Sequence, residues 1–177
     1  VRGGDGGKGR APLGGRRERG AMDVRWICVH LNELTEEDFS SLENGPRFHI
    51  AHCPRSCRYF RHAPFALLRL DDLGFNVCLG TDSLASNSSL SLFAEMRAVR
   101  DLHPSLRPRE ILAMATVNGA RALGQADAIG RIAPGCAADL IALPLAASRE
   151  NEDAYAQIID WSEPVDWWQM AATPGPI

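Results

Sequence analysis

Three short apolar runs set the frame into which this chain can fold. They occupy residues 26–29, 48–51 and 75–79, and they start near positions 25, 48 and 75, which are 23 and 27 residues apart. Short apolar runs without strict alternation are typical of strands that are buried on both faces. Each interval has room for a helix, so the spacing predicts an α/β protein whose strands lie parallel in one sheet.

Capping and turn residues place helices between these strands. Thr35, followed by three acidic residues, predicts a helix start, and Gly45 with Pro46 predicts its end. We expect a loop over residues 53–59 and a further helix from Pro64. The remaining predicted elements are helices over 88–101, from 108 onward and over 118–123, then a turn-rich ribbon over 130–135, a strand over 139–143, a helix over 151–159 and a strand over 165–168.

Titratable side chains follow each of the three apolar runs. His30 comes after the first strand, His52 after the second and Asp82 after the third. Taken singly, a histidine here is more often a hydrogen-bonded structural residue, and Asp82 could simply form an Asx turn. Because parallel α/β proteins carry their chemistry at the carboxyl ends of strands, the three together predict a site at that edge.

Two other kinds of site were weighed against this one. His49, His52, Cys53 and Cys57 offer four possible zinc ligands, although structural zinc sites usually combine two separated pairs. His49 and His52 are three apart in an extended segment and should point to different faces. Cys53 beside His52 could form a thiolate pair, but neighbours in extended chain diverge. No phosphate-binding loop or nucleophile elbow is found in the sequence.

Residues 1–20 carry a net positive charge, whereas the rest of the chain carries a net negative one. Residues 1–20 hold 6 of the 19 Lys and Arg, 2 of the 22 Asp and Glu, and 8 of the 16 Gly, which predicts a disordered tail. The remainder has 13 basic and 20 acidic residues, a net charge of −7, which argues against nucleic-acid binding.

No apolar run approaches the roughly 20 residues of a membrane span. Five cysteines without a secretory signal predict a cytoplasmic protein with reduced thiols.

Several motifs in order resemble the amidohydrolase superfamily, and most closely its chlorohydrolase and aminohydrolase-deaminase branch. They are HLNELTEED at 30–38, HCPRS at 52–56, LGTDSLASN at 79–87, LFAEMR at 92–97, ATVNGARALG at 115–124 and GRIAPGCAADL at 130–140. The resemblance covers residues 24–145 and implies a partial TIM (β/α)8 barrel, about strands 6–8, over residues 24–125. Residues 126–172 would then return into a fragment of a small β-sandwich domain with a C-terminal extension.

The resemblance also implies roles for the strand-end residues. Asp82 corresponds to the family's metal-binding aspartate, which also takes and returns a proton, and His30 to the histidine that polarises the substrate. His52 matches a position near the substrate pocket. Cys57 stands where relatives often have a second histidine.

The family's remaining metal ligands have no counterpart in this chain. The H-x-H pair of the first barrel strand is absent, since the histidines are 30, 49, 52, 62 and 103. Full-length relatives hold a divalent metal, zinc or iron, and act on small molecules. We therefore expect the chain alone to hold no metal and to be inactive.

Two functions remain open from the sequence. The first is the C-terminal fragment of a metal-dependent amidohydrolase that hydrolyses non-peptide C–N or C–Cl bonds with metal-activated water. The alternative is a non-catalytic α/β remnant that docks on a partner supplying the rest of the barrel. An H-x-H strand end encoded upstream would favour the first. Either way, strands taken from a barrel leave open edges, which predicts self-association.

Overall fold

Strands and helices alternate along most of the chain in the computed structural model, which describes residues 23–147, 151–165 and 167–169. The tail predicted to be disordered, 1–20, lies outside the described residues. The elements in order are β1 (Ile27–Val29), α1 (Glu36–Glu43), β2 (His49–His52), α2 (Pro54–Tyr59), α3 (Leu67–Asp72), β3 (Asn76–Leu79), α4 (Leu92–Leu102), α5 (Pro108–Ala115), α6 (Val117–Ala122), β4 (Leu140–Ala142), α7 (Asn151–Asp160) and β5 (Trp167–Gln169). Within these ranges no helix has the length and apolar character to cross a membrane.

β1, β2 and β3 form a parallel sheet in that order, with β2 in the middle. The register sets Cys28 beside Ile50 and Ile50 beside Val77. Parallel strands with helices between them confirm the predicted α/β class. β4 and β5 form a separate antiparallel pair. The assignments to barrel strands 6–8 and to a β-sandwich, and the division at residue 125, stay predictions.

Side-chain caps fix where two of the helices begin. The Thr35 hydroxyl accepts a hydrogen bond from the Asp38 N–H at 3.2 Å, and the Asp38 carboxylate accepts from the Thr35 N–H at 2.9 Å, so α1 starts with a capping box. The Ser91 hydroxyl accepts from the Ala94 N–H, which makes α4 begin at Leu92 rather than at the predicted residue 88.

Two predicted elements differ from the structure. The segment predicted as a loop, 53–59, forms helix α2, because Pro54 fills its first position, where no N–H is needed. The helix predicted from Pro64 begins later, at Leu67. The Leu67 N–H donates to the Phe65 carbonyl, two residues back, at 2.8 Å, and this tight turn delays the helix.

The hydrophobic core lies between the sheet and the helices that cover one of its faces. Ile50 and Val77 point into it from the sheet, and Leu70, Val99 and Ile111 meet them from α3, α4 and α5. Four of these five are completely buried, and Val77 is 3% exposed. Their burial removes apolar surface from water, which is the main force that holds the two layers together.

The opposite face of β1 is open in the described structure. Ile27 and Val29 alternate with Cys28 and therefore point away from the core, where they are 36% and 51% exposed. Trp26, just before the strand, is 40% exposed. The interpretation that this strand is buried on both faces is wrong for the described residues, because the helices cover only one side of it.

The core also contains a polar side chain, that of His52. It is 1% exposed, its ring stacks on Phe65 with centroids 4.0 Å apart, and neither ring nitrogen has a hydrogen-bond partner among the described residues. Burial, helped by the nearby His103 and His30, lowers the pKa of His52 from 6.5 to about 3. The folded chain therefore holds this imidazole neutral.

Stability should fall as the solution is acidified, because the unfolded chain binds a proton at His52 before the folded chain does. The folded pKa lies below the unfolded one, so the contribution is complete above pH 6.5 and is lost as pH falls toward about 3. We expect His52 to cost about 2 kcal/mol of unfolding free energy between pH 7 and pH 5. Urea unfolding of the chain and of His52→Gln measures this as a difference in pH slope.

The matched control for that measurement is His62→Gln, which changes an exposed histidine paired with Glu33. It should change the pH slope less than His52→Gln does, because the His62 side chain is 41% exposed whereas His52 is buried. His49 and His103, whose pKa values burial also lowers, are present in all three proteins and cancel. Equal slopes in the chain and in His52→Gln would contradict the buried, neutral state of His52.

The open face of β1 should make the chain self-associate. Light scattering is expected to give a mass above the 19.3 kDa of one chain, and a dye that reports apolar surface should bind. Ile27→Thr with Val29→Thr keeps β-branched residues in the strand while removing apolar surface, and should shift the protein toward the monomer. Ile132→Thr, at a residue 88% exposed outside the sheet, should not. A monomeric unchanged chain that binds no dye would rule out this prediction.

Candidate functional site

The carboxyl edge of the parallel sheet brings His30 and Asp82 together. Both follow strands that run in the same direction, and His30 Nε2 lies 3.9 Å from Asp82 Oδ2. His30, Leu31 and Asp82 have φ of +74°, +54° and +55°. Left-handed backbone is uncommon for residues other than glycine, and it recurs where surrounding structure holds a functional group in place.

Two hydroxyl groups fix the Asp82 carboxylate. Ser56 Oγ donates to Asp82 Oδ2 at 2.6 Å and Ser86 Oγ donates to the same oxygen at 2.8 Å, while the two hydroxyl oxygens are 3.0 Å apart. These hydrogen bonds, that of Ser56 first, lower the pKa of Asp82. The carboxylate is thus ionised and held in one orientation, which suits it to bind a cation or to accept a proton.

Ser56 and Ser86 reach Asp82 from two different segments. Ser56 is buried in the first turns of α2, directly after β2, and Ser86 is buried in the segment between β3 and α4. The sequence motifs at 52–56 and 79–87 contain both serines, but sequence analysis assigned neither a role. Since the two segments are separate in sequence, their contact became visible only in the folded chain.

Glu95 lies beneath these segments and is completely buried. Its Oε2 accepts from the Arg55 backbone N–H at 3.0 Å, and its Oε1 accepts from Asn87 Nδ2 at 2.6 Å. Burial raises the pKa of Glu95 despite these bonds. Sequence analysis missed this residue too, although an acid between Leu92 and Met96 on the apolar side of α4 is a signal that could have found it.

His52 ends the strand next to His30, but its ring packs into the core and does not face Asp82 as His30 does. Alternation along β2 directs its side chain into the layer between sheet and helices, where it stacks on Phe65. The substrate-binding role that the resemblance implies for His52 stays a prediction.

Cys53 lies buried next to the site. A Cβ on Gly80 would come within 3.1 Å of the Cys53 sulfur, so the absence of a side chain at Gly80 leaves room for the thiol. Burial raises the pKa of Cys53 to about 11, and the charge of Asp82 acts in the same direction. A thiol with this pKa is protonated at neutral pH, which argues against the thiolate nucleophile considered from sequence.

The alternative zinc site does not assemble in the described structure. His49 starts β2 and pairs with Asn76 through its Nδ1 at 2.9 Å, whereas His52 ends that strand. The Cys57 thiol donates to the Ala63 carbonyl. Across the described parts of the chain, no group of three or more His, Cys, Asp and Glu side chains could hold a metal ion.

Asp82 nevertheless fits one position in a metal coordination sphere. It is ionised, oriented by two hydroxyls and adjacent to a histidine. A catalytic zinc usually takes three protein ligands and one water. Asp82 supplies one of them, and the described residues supply no complete set.

Comparison with known proteins places these features in context. The amidohydrolase family profile matches residues 3–165. A 5-methylthioadenosine/S-adenosylhomocysteine deaminase of Teredinibacter turnerae is 36% identical over 144 residues, which cover 77% of this chain and 32% of that protein. The chain thus spans about a third of the length of this relative.

Solved structures agree with the sequence comparison. A zinc-bound adenosine deaminase of Xanthomonas campestris superposes with a TM-score of 0.76 at 31% identity, covering 86% of this chain and 37% of that one. Atrazine chlorohydrolase of Arthrobacter aurescens, complexed with zinc, gives 0.67 at 26% identity, covering 75% and 31%. The resemblance inferred from the sequence motifs is confirmed, and the chain belongs to the amidohydrolase family.

Proposed function

We propose that this chain forms the C-terminal part of a metal-dependent hydrolase that removes the amino group from an aminopurine nucleoside. The observation that carries the proposal is the Asp82 carboxylate, held by Ser56 and Ser86 and facing His30 at the carboxyl edge of the sheet. The names of the relatives, which include adenosine and methylthioadenosine deaminases, support the substrate class. Since the chain covers about a third of those relatives, the activity belongs to a longer or assembled protein.

Asp82 and His30, which face each other, have different roles in the proposed hydrolysis of the C–N bond. A bound divalent metal supplies a water of lowered pKa. Asp82 would be one ligand of that metal; it would take the proton released when the water oxygen bonds to the ring carbon, and would return it to the amino group as the C–N bond breaks and ammonia leaves. His30 lies opposite and stabilises the charge that develops on the purine ring during attack.

The alternative is a non-catalytic module that docks on a partner supplying the rest of the barrel. The exposed Ile27 and Val29 support an interface at β1 under either function. The His30–Asp82 arrangement favours the enzyme, since a docking module needs neither a fixed ionised carboxylate nor strained backbone. An H-x-H strand end in the upstream reading frame would decide for the enzyme.

A chimera tests the proposed reaction. We expect residues 24–165, placed in the Teredinibacter turnerae deaminase in exchange for its matching third, to give a zinc-containing protein that deaminates 5′-methylthioadenosine. Asp82→Asn in this chimera should lower kcat by about a thousandfold and reduce the metal content, because it removes a ligand and a proton acceptor. Ammonia release and elemental analysis measure the two effects.

Asp101→Asn is the matched control, because this aspartate is exposed and pairs with Arg100 on the surface of α4. It should leave turnover and metal content unchanged. A folded chimera that contains zinc and shows the same turnover with Asp82→Asn as without it would overturn the proposed role of Asp82.

The chain by itself should retain no stoichiometric zinc or iron after dialysis. Asp82 is one ligand, and one carboxylate holds a divalent ion too weakly to survive dialysis. Elemental analysis of the purified chain measures this. One tightly held metal per chain would contradict the prediction, and loss of that metal in His49→Gln with Cys57→Ser would revive the alternative zinc site.

A further inference from the structure

We propose that Glu95 is a positioning residue that holds Ser56 and Ser86 in place to donate to Asp82. The inference rests on the proposed function only for what Asp82 does; the arrangement itself involves no metal and no substrate. The described hydrogen bonds of Glu95 go to Arg55 and Asn87 rather than to Asp82, so Glu95 acts through these two segments.

The hydrogen bonds of Glu95 lead to both serines. Its Oε2 holds the backbone N–H of Arg55, which directly precedes Ser56, and its Oε1 holds the side chain of Asn87, which directly follows Ser86. Each hydroxyl that donates to Asp82 is therefore one residue away from a group bound to Glu95. One buried carboxylate thus connects two segments whose serines are 30 residues apart in sequence.

Asn87 extends the same network to the backbone of the site. Its Nδ2 also donates to the Thr81 carbonyl at 2.8 Å, one residue before Asp82. Asp82 has left-handed backbone, which the surrounding structure must hold in place. The Asn87 amide therefore connects Glu95 to the strained turn as well as to Ser86.

A carboxylate is needed at this position because both of its oxygens accept. A glutamine of the same size has one accepting oxygen and one donating nitrogen, so one of the two N–H donors would lose its partner. Burying the charge is costly, and Arg55 offsets part of the cost with its guanidinium 3.7 Å from Glu95 Oε1. A charge kept in the core at this cost, with both oxygens bonded to the segments that carry Ser56 and Ser86, indicates a positioning role.

The experiment compares variants of the 177-residue chain by NMR at neutral pH, with no metal and no substrate. The two readouts are the 13C chemical shift of the Asp82 carboxyl carbon and the hydrogen exchange rate of the Arg55 amide. Ser56→Ala defines the chemical shift of an Asp82 that has lost one donor. We expect Glu95→Gln to move the Asp82 signal in the same direction and to speed exchange of the Arg55 amide about tenfold.

Ser91→Ala is the matched control, since it removes the N-cap of the same helix without touching the network. It should lower the urea midpoint of unfolding while leaving the Asp82 signal and the Arg55 exchange rate unchanged. An equal movement of the Asp82 signal in Ser91→Ala would show a merely structural effect of α4 and would overturn the proposal. So would an unmoved signal in Glu95→Gln.

Glu95→Asp decides the question if Glu95→Gln fails to fold. It keeps the charge but shortens the side chain by one methylene, so it cannot reach both Arg55 and Asn87. A shift of the Asp82 signal toward that of Ser56→Ala supports the proposal, and no shift overturns it. Because neither metal nor turnover is measured, a failure here is distinct from a failure of the deaminase proposal, which the chimera tests.

Discussion

Parallel pairing of β2 with both of its neighbours is the constraint on which the site depends. The register that sets Ile50 between Cys28 and Val77 makes all three strands end at one edge. That edge receives His30 from β1 and Asp82 from the segment after β3, although the two residues are far apart in sequence. An antiparallel neighbour would carry its following residue to the opposite edge, so the strand direction alone determines that these groups can face each other.

Much of this arrangement could be predicted from the sequence, because the deciding signals are local. The spacing of three apolar runs gave the parallel sheet, Thr35 marked a helix start, and the residues after the strands indicated the shared edge. The contacts that hold the site could not be predicted, since Ser56 and Glu95 act on residues distant in sequence. The loop predicted over 53–59 is wrong partly for the same reason: the Arg55 N–H of α2 donates a hydrogen bond to Glu95, which lies 40 residues away in α4.

The two histidines of the predicted site differ in burial: His52 is buried in the core, and His30 lies at the exposed edge of the sheet. His30 follows its strand into the open edge, while His52 is still within β2 and turns into the core. The same pattern of apolar run and terminal histidine therefore gave one residue that faces Asp82 and one that packs on Phe65. The two histidines occupy the same register position, since Val29 pairs with Ala51, but His30 has left-handed backbone with φ of +74° and so departs from the strand, whereas His52 keeps the extended backbone of β2.

Charge placement explains why Asp82 is available to a cation. In the described chain its charge is stabilised by two neutral hydroxyls, and Arg55, the nearby cation, is drawn instead to Glu95 and to Ser88 and Ser89. A guanidinium paired with Asp82 would have to be displaced before a metal could bind, whereas hydroxyl donors keep the carboxylate ionised without neutralising it. Glu95 therefore has two effects that point the same way: it fixes the segments that carry the hydroxyls, and it holds the competing positive charge away from the site.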